Sequence, residues 1–198
     1  MKAFPIKSHM RWRRIDVPGR EEARIEQTAH GWRLTGDLEV EERSVNARLA
    51  YLIECEPDWR TRLTIVTGSA AGVPLRLELG ADGAGHWTLN GVPLSLVEGA
   101  LDIDLGFTPA TNLLPIRRLD LAVGERADVR TAWVRFPELR VEALEQSYQR
   151  DAARVYRYDA LVDGERFQAR LDTDEFGRVL HYEGLWEAES ASPGSERT

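Results

Sequence analysis

Alternation with a period of two residues runs along most of the chain and predicts a domain built from strands. Leu34, Leu38 and Val40 open the pattern, Val45, Ala47, Leu49 and Tyr51 continue it, and Leu75, Leu77 and Leu79 repeat it against Arg76 and Glu78. Successive side chains of a strand point to opposite faces, so each such run offers one apolar face to a core. The run from Trp59 to Val66 reads in the same way, with Trp59, Thr61, Leu63 and Ile65 on one face and Arg60, Arg62, Thr64 and Val66 on the other. Turn signals separate these runs at short intervals: Pro57-Asp58, Ala81 to Gly85, Asn90-Gly91, Asp163-Gly164 and Asp174 to Gly177. Many short strands joined by tight turns predict an antiparallel sandwich, barrel or roll. One stretch is ambiguous: between Leu139 and Tyr158, a helical stripe (Val141, Leu144, Tyr148, Ala152, Val155) competes with strand alternation (Leu139, Val141, Ala143), and the neighbouring β signals favour strand.

A shift of 92 residues lays Leu75, Leu77, Leu79, Asp82, Gly85 and Trp87 on Phe167, Ala169, Leu171, Asp174, Gly177 and Val179. Each copy is an alternating strand, an Asp…Gly turn and a strand that opens on a large apolar residue. Either the chain contains a duplication, which predicts pseudo-twofold symmetry with a ligand between the halves, or two hairpins share the same restricted grammar.

Composition narrows the class. A chain of 198 residues with 42% hydrophobic and 30% charged positions suits one folded domain. No stretch approaches the roughly 18 apolar residues of a membrane-spanning helix. Met1 to Met10 lacks the apolar run of a secretory signal, which predicts a cytoplasmic location. Both lysines, Lys2 and Lys7, lie in this segment and Ser8-His9-Met10 resembles a cloning junction. Residues 1–10 are therefore expected to be a leader or a cloning remnant, 11–188 a single β domain and 189–198 a flexible tail. Cys55 has no second cysteine to pair with, which excludes an internal disulfide and a cysteine zinc site. A net charge of −7 opposes binding to nucleic acid or an anionic bilayer. The Arg11-Trp-Arg-Arg14 cluster is too short to reverse that expectation.

Candidate chemistry concentrates in Asp102 to Leu119. Two prolines stiffen this stretch, predicting a rigid irregular loop, and Thr108, Thr111, Asn112, Arg117 and Arg118 could turn hydroxyl, amide and guanidinium donors toward a polar ligand head. The plainer reading is a crossover whose polar groups bond its own turns. Six tryptophans exceed what a minimal core needs. Most are expected in the core, while Trp59, Trp87, Tyr156 and Tyr158 are candidates to line a cavity. Arg60 and Arg62 could grip a phosphate or carboxylate, or pair with acidic neighbours. No catalytic motif occurs, and His9, His30, His86 and His181 lack metal-ligand spacing. No catalytic residue, metal or cofactor is expected.

The run Asp104-Leu-Gly-Phe-Thr-Pro-Ala-Thr-Asn-Leu-Leu-Pro-Ile-Arg-Arg-Leu119 resembles the signature of the bacterial "putative glycolipid-binding" domain family, formerly a domain of unknown function. Trp12 to Gly19, Tyr51, Asp58 to Arg62, Gly85-His-Trp87, Ala132 to Pro137, Gln146-Ser-Tyr148, Tyr156-Arg-Tyr158 and Asp174 to Gly177 support the likeness, which spans about Arg11 to Trp186. Ala110 and Leu113 depart from it, standing where a bulkier residue and a threonine are expected. The resemblance implies an all-β, two-fold pseudo-symmetric, many-stranded antiparallel spiral β-roll or open barrel, similar to the periplasmic lipoprotein carriers. It also implies binding of a lipid or glycolipid. The combined expectation is a non-catalytic binder, monomer or homodimer, that holds an amphipathic ligand in an aromatic-lined cavity. One alternative is an enzyme using Asp102 or Asp104 as acid/base with Arg117 or Arg118 as oxyanion partner; the other is a homodimeric scaffold without a small ligand.

Overall fold

The computed structural model describes residues 7–189, and in it fifteen strands form one continuous sheet made of two wings. One wing runs outward from the centre through β1 (Lys7–Arg14), β2 (Gly19–Thr28), β3 (Gly31–Glu42), β4 (Val45–Cys55), β5 (Thr61–Ala70), β6 (Val73–Ala81), β7 (Trp87–Leu89) and β8 (Val92–Pro93). The other runs outward through β15 (Trp186–Ala188), β14 (Val179–Tyr182), β13 (Glu165–Thr173), β12 (Val155–Val162), β11 (Val141–Ala152), β10 (Arg126–Val134) and β9 (Asp102–Leu105). Strands β1 and β15 pair antiparallel at the centre, with Trp12 opposite Ala188 and Arg14 opposite Trp186. The sheet does not close. It curls until the start of β5 meets the start of β9, where Thr61 donates its amide to Leu101 O at 3.0 Å and its hydroxyl accepts from the Ile103 amide at 3.0 Å.

The all-β roll is as expected, with one correction to its strictly antiparallel character. Strands β9 and β10 are parallel, Asp102 opposite Thr131 and Leu105 opposite Val134. Parallel neighbours need a long crossover, and residues 106–125 supply it as a 3-10 turn, Ala110–Asn112, followed by helix α1, Leu113–Leu119. The irregular loop expected here is thus helical. Pro115 is tolerated because it stands in the first turn, where a backbone N–H would have no intrahelical acceptor, and Asp120 ends the helix in the left-handed region at φ 43°.

Two other expectations change. The face assignment holds from Trp59 to Arg62, with Trp59 and Thr61 buried and both arginines exposed, and reverses beyond: Thr64 and Val66 are buried while Leu63 and Ile65 are half-buried. A register shift between Glu54 and Cys55 puts Thr61 opposite Cys55 and Leu63 opposite Glu54, and Trp59 lies outside the strand with φ 74°. The expected boundary at Arg11 falls inside β1, where Lys7 to Met10 pair with Glu26 to Ala23. Residues 1–6 and 190–198, which carry the rest of the expected leader and most of the expected tail, lie outside the described residues. The ambiguous stretch is a hairpin of β11 and β12, with Leu144, Gln146 and Tyr148 buried in strand period.

The repeat is visible bond for bond. Ala81 faces Trp87 across β6 and β7, and Thr173 faces Val179 across β13 and β14. In the first turn Asp82 Oδ1 accepts the amides of Ala84 and His86 at 2.8 and 3.1 Å. In the second, Asp174 Oδ1 accepts those of Phe176 and Arg178, both at 2.9 Å. Each turn reverses through a left-handed glycine, Gly85 at φ 101° and Gly177 at φ 96°. The copies differ in what they support: a Cβ on Gly85 would meet the Gly99 backbone at 2.8 Å, whereas one on Gly177 would meet Ile116 Cγ2 at 3.0 Å and Leu113 Cδ1 at 3.3 Å.

Helix α1 is therefore seated directly on the second turn. Gly177→Ala should lower the urea midpoint by more than Gly164→Ala, which has a similar positive φ of 82° but nothing within 4 Å of the added methyl. The left-handed cost, about 1–2 kcal/mol, is common to both, so equal losses would show that α1 yields freely.

Candidate functional site

The crossover occupies the inside of the roll. Phe107 to Ile116 are buried without interruption, and their polar side chains are bonded to both wings. From the first wing, Glu21 Oε1 accepts from the Tyr51 hydroxyl at 2.6 Å and the Thr108 hydroxyl at 2.7 Å. The Tyr51 ring lies across Gly36, where any Cβ would fall 2.4 Å from it. From the second wing, the Tyr148 hydroxyl donates to Asn112 Oδ1 at 2.9 Å. Within the crossover, Asn112 Nδ2 donates to Pro109 O at 3.2 Å, Thr108 Oγ1 accepts the Ala110 amide at 3.0 Å and Thr111 Oγ1 accepts the Leu105 amide at 3.3 Å. Thr108, Thr111 and Asn112 thus hold the chain to itself, as the plainer reading has it.

Two buried carboxyls, Glu21 and Asp102, and the half-buried Asp104 adjoin this network. Burial pushes Glu21 up to about 7 against the pull of the Tyr51 and Thr108 hydroxyls, and its Oε2 is buried without a partner. Burial likewise pushes Asp104 up to about 6, opposed by hydrogen bonds from Gln146 and Thr111. Asp102 is fully buried and is raised by desolvation even though Arg118 lowers it. Arg118 Nε and Nη2 lie 3.0 and 2.6 Å from the two Asp102 oxygens. Arg118 is therefore a structural counter-ion, and Asp102 and Asp104 are both engaged by the protein.

The remaining candidates separate in the same way. Arg60 pairs with Asp58 at 3.3 Å and Arg62 with Glu54 at 2.6 Å, both at exposed positions. Trp87 donates its indole N–H to Ala100 O at 2.9 Å. Tyr158 packs edge-on against Tyr148 and Tyr182, with centroids at 5.3 and 6.0 Å. Tyr156 lies beneath the Arg150 guanidinium at 5.6 Å. Trp59 stacks on Trp32 at 4.3 Å, and Phe176 stands edge-on to both. Arg117 completes this aromatic group, its guanidinium carbon 5.5 Å from the Trp59 ring and 4.9 Å from that of Phe176.

Among the described residues the aromatic candidates lie against one another or against protein groups, and the crossover occupies the inside of the roll. A narrow apolar slot lies between β1–β3 and the crossover, with a free volume of about 20 Å³. That is room for about one water. Met10, Ala23, Ile25, Leu34, Ala110 and Leu113 form its walls, with Arg24 and Arg178 also lining it. Ala110 and Leu113 are the two positions that depart from the family pattern. A larger groove of about 600 Å³ crosses β1–β5, but Arg11, Arg20, Glu22, Glu39 and Arg48 line it and ion-pair with one another. Sequence reasoning passed over Glu21, although its place two before Ala23 and four before Ile25 marks it as an inward acid. It also passed over Phe176, signalled only by an aromatic ring where the repeat carries Ala84.

Two outcomes follow. An acid whose carboxyl is raised on folding binds its proton more tightly in the native state, so its contribution is complete below its ordinary value and is lost as pH climbs through the folded one. For Glu21 that window runs from 4.5 to about 7, and the loss is on the order of 3 kcal/mol. Glu21→Gln should remove this part of the decline, seen as urea midpoints at pH 5 and 8 that converge relative to wild type. Arg118→Met, which strands a buried carboxylate, should cost about 3–5 kcal/mol in the same assay.

Among the described residues no helix is long and apolar enough to cross a membrane. No functionally curated protein matches the chain. A solved structure, that of a DUF1089 family protein from Pseudomonas aeruginosa, superposes with a TM-score of 0.74 at 30% identity, covering 94% of this chain and 93% of that one. The profile of the family described as "Putative glycolipid-binding" matches residues 9–188, and the chain belongs to that family.

Proposed function

We propose that the chain binds an amphipathic lipid or glycolipid without altering it chemically, the apolar part entering the slot beside the crossover. The observation that carries this reading is the composition of the slot. Its inner walls come from Met10, Ala23, Ile25, Leu34 and Leu113, while two cationic side chains, Arg24 and Arg178, border it. Apolar depth beside a charged margin matches a molecule with a tail and a head. Family membership points the same way. The non-catalytic half of the reading rests on Asp102 and Asp104, whose carboxyls are engaged by Arg118 and Gln146.

The slot is far below the ~300–1,000 Å³ of ordinary ligand pockets, so occupancy requires the crossover and β1–β3 to part. Burying an alkyl chain returns about 0.8 kcal/mol per methylene. A chain of ten carbons therefore offsets the loss of several side-chain contacts, whereas a free sugar does not. Ligand binding should accordingly depend on tail length more steeply than on the sugar.

Native mass spectrometry of the gently purified protein, with alkyl glucosides of six to twelve carbons added in turn, tests this. Retention should rise with tail length, and Ala110→Leu, which fills the slot at a packing cost of about 1–3 kcal/mol, should reduce it. A spectrum free of adducts at every length, in both proteins, would remove the proposal.

A further inference from the structure

Arg117 and Arg118 are adjacent on α1 and are treated oppositely by the fold. Arg118 is neutralised by Asp102. Arg117 makes no ion pair or hydrogen bond among the described residues: its Nε is buried without a partner, and its surroundings are the faces of Trp59 and Phe176. The charges nearby are already committed. Arg178, 6.0 Å from the Phe176 ring on its own account, is bonded to Asp174. Arg150 donates to the carbonyls of Leu121 and Ala153, each at 2.7 Å. Asp120 follows Arg117 by three positions and does not bond it.

Such an arrangement is unusual for an acidic chain, in which 33 carboxylates offer counter-ions to 26 cationic residues. Aromatic faces hold a guanidinium in place through its π surface while leaving its N–H edge free, and that edge is a planar fork suited to two oxygens of one anion. The walls are specially positioned for the task. Trp59 adopts φ 74°, a left-handed conformation that a bulky side chain rarely takes, and so reaches the ring of Trp32 at 4.3 Å. Phe176 sits in the second Asp…Gly turn, between Asp174 and Arg178. The first turn, whose Asp82 accepts the corresponding amides, carries Ala84 there and builds no such wall. The site also adjoins the slot: a methyl added at Gly177, next to Phe176, would meet both Leu113 of the slot wall and Arg117 itself, at 3.3 and 3.5 Å, and Arg178 borders the slot.

We infer that Arg117, walled by Trp59 and Phe176, is the receptor for a phosphate-type oxyanion, and that the head of the bound amphiphile is anionic. This rests on the amphipathic-ligand reading and adds to it the charge of the head. The anion would lie against the N–H edge of Arg117, at the margin where the slot emerges beside Arg178.

Isothermal titration of the full chain with three probes, each below its micelle concentration, tests the inference: inorganic phosphate, dihexanoyl phosphatidylglycerol and the neutral octyl glucoside. Wild type should bind the phosphatidylglycerol tightest. Arg117→Gln should weaken that binding at least tenfold and leave the glucoside within twofold; Arg117→Lys, which keeps the charge and loses the fork, should fall between. Unchanged melting temperatures for both variants would establish that they fold. Equal affinity of wild type and Arg117→Gln for phosphatidylglycerol overturns the anion site, and so does failure of both anionic probes to bind; glucoside binding in that case leaves the lipid reading standing. Phosphate bound in an Arg117-dependent manner, with both lipids rejected, upholds the anion site for a free phosphate and overturns the amphiphile.

Discussion

A sheet curled through fifteen strands has an inner face that must be covered, and here the cover is the chain's own crossover between β9 and β10. That one placement governs the rest of the molecule. Phe107, Leu113, Leu114 and Ile116 supply the apolar filling, but a segment with a 3-10 turn and a short helix also brings polar groups into a low-dielectric interior, where each needs a partner. The partners come from both wings: Glu21 and Tyr51 from the first, Tyr148 from the second. The crossover therefore ties together two wings that otherwise join along the antiparallel seam of β1 and β15 and where Thr61 of β5 bonds Leu101 and Ile103. Glu21 is the least satisfied member of the network, with one oxygen doubly bonded to hydroxyls and the other unpartnered.

The internal repeat explains why such a crossover exists at all. Strands β4 to β7 and β11 to β14 follow the same meander, and in both turns the Asp side chain, Asp82 or Asp174, accepts the amides two and four residues on. Before them the halves diverge. In the first half β2 lies between β1 and β3 and all pairs are antiparallel. In the second, a helix stands between β9 and β10, and the two strands flanking it pair in parallel. Substituting a helix for a strand frees one segment from the sheet and lets it fold inward. At the turn that carries α1 the copies also differ in sequence: Phe176 and Arg178 stand where the first copy has Ala84 and His86.

Much of the architecture was legible because strand period and turn chemistry are local. Alternation through β3, β4 and β6, the Asn90-Gly91 and Asp163-Gly164 turns and the repeat itself all rest on neighbours within a few residues. The parallel pair and the helical crossover were not legible, since Pro109 and Pro115 read as breakers unless it is known that one precedes a helical turn and the other sits in a first turn. The reversal of faces at Thr64 and Val66 arises from a register shift against Cys55, which depends on the partner strand. As for the site, the signature run was found, yet the sequence could not say which way its side chains point. Thr108, Thr111 and Asn112 turn to the protein, and of two neighbouring arginines only tertiary contact separates the paired Arg118 from Arg117.

That separation bears on how a filled roll could bind anything. An empty aromatic cavity would have been costly to keep, because interiors pack at near-crystalline density and voids forfeit dispersion contacts. In this fold the interior is instead occupied by a segment of the chain itself, the crossover. Its apolar residues favour that arrangement, while the raised carboxyls of Glu21 and Asp104 beside it mark desolvation that works against it. A ligand tail would replace the apolar contacts in kind.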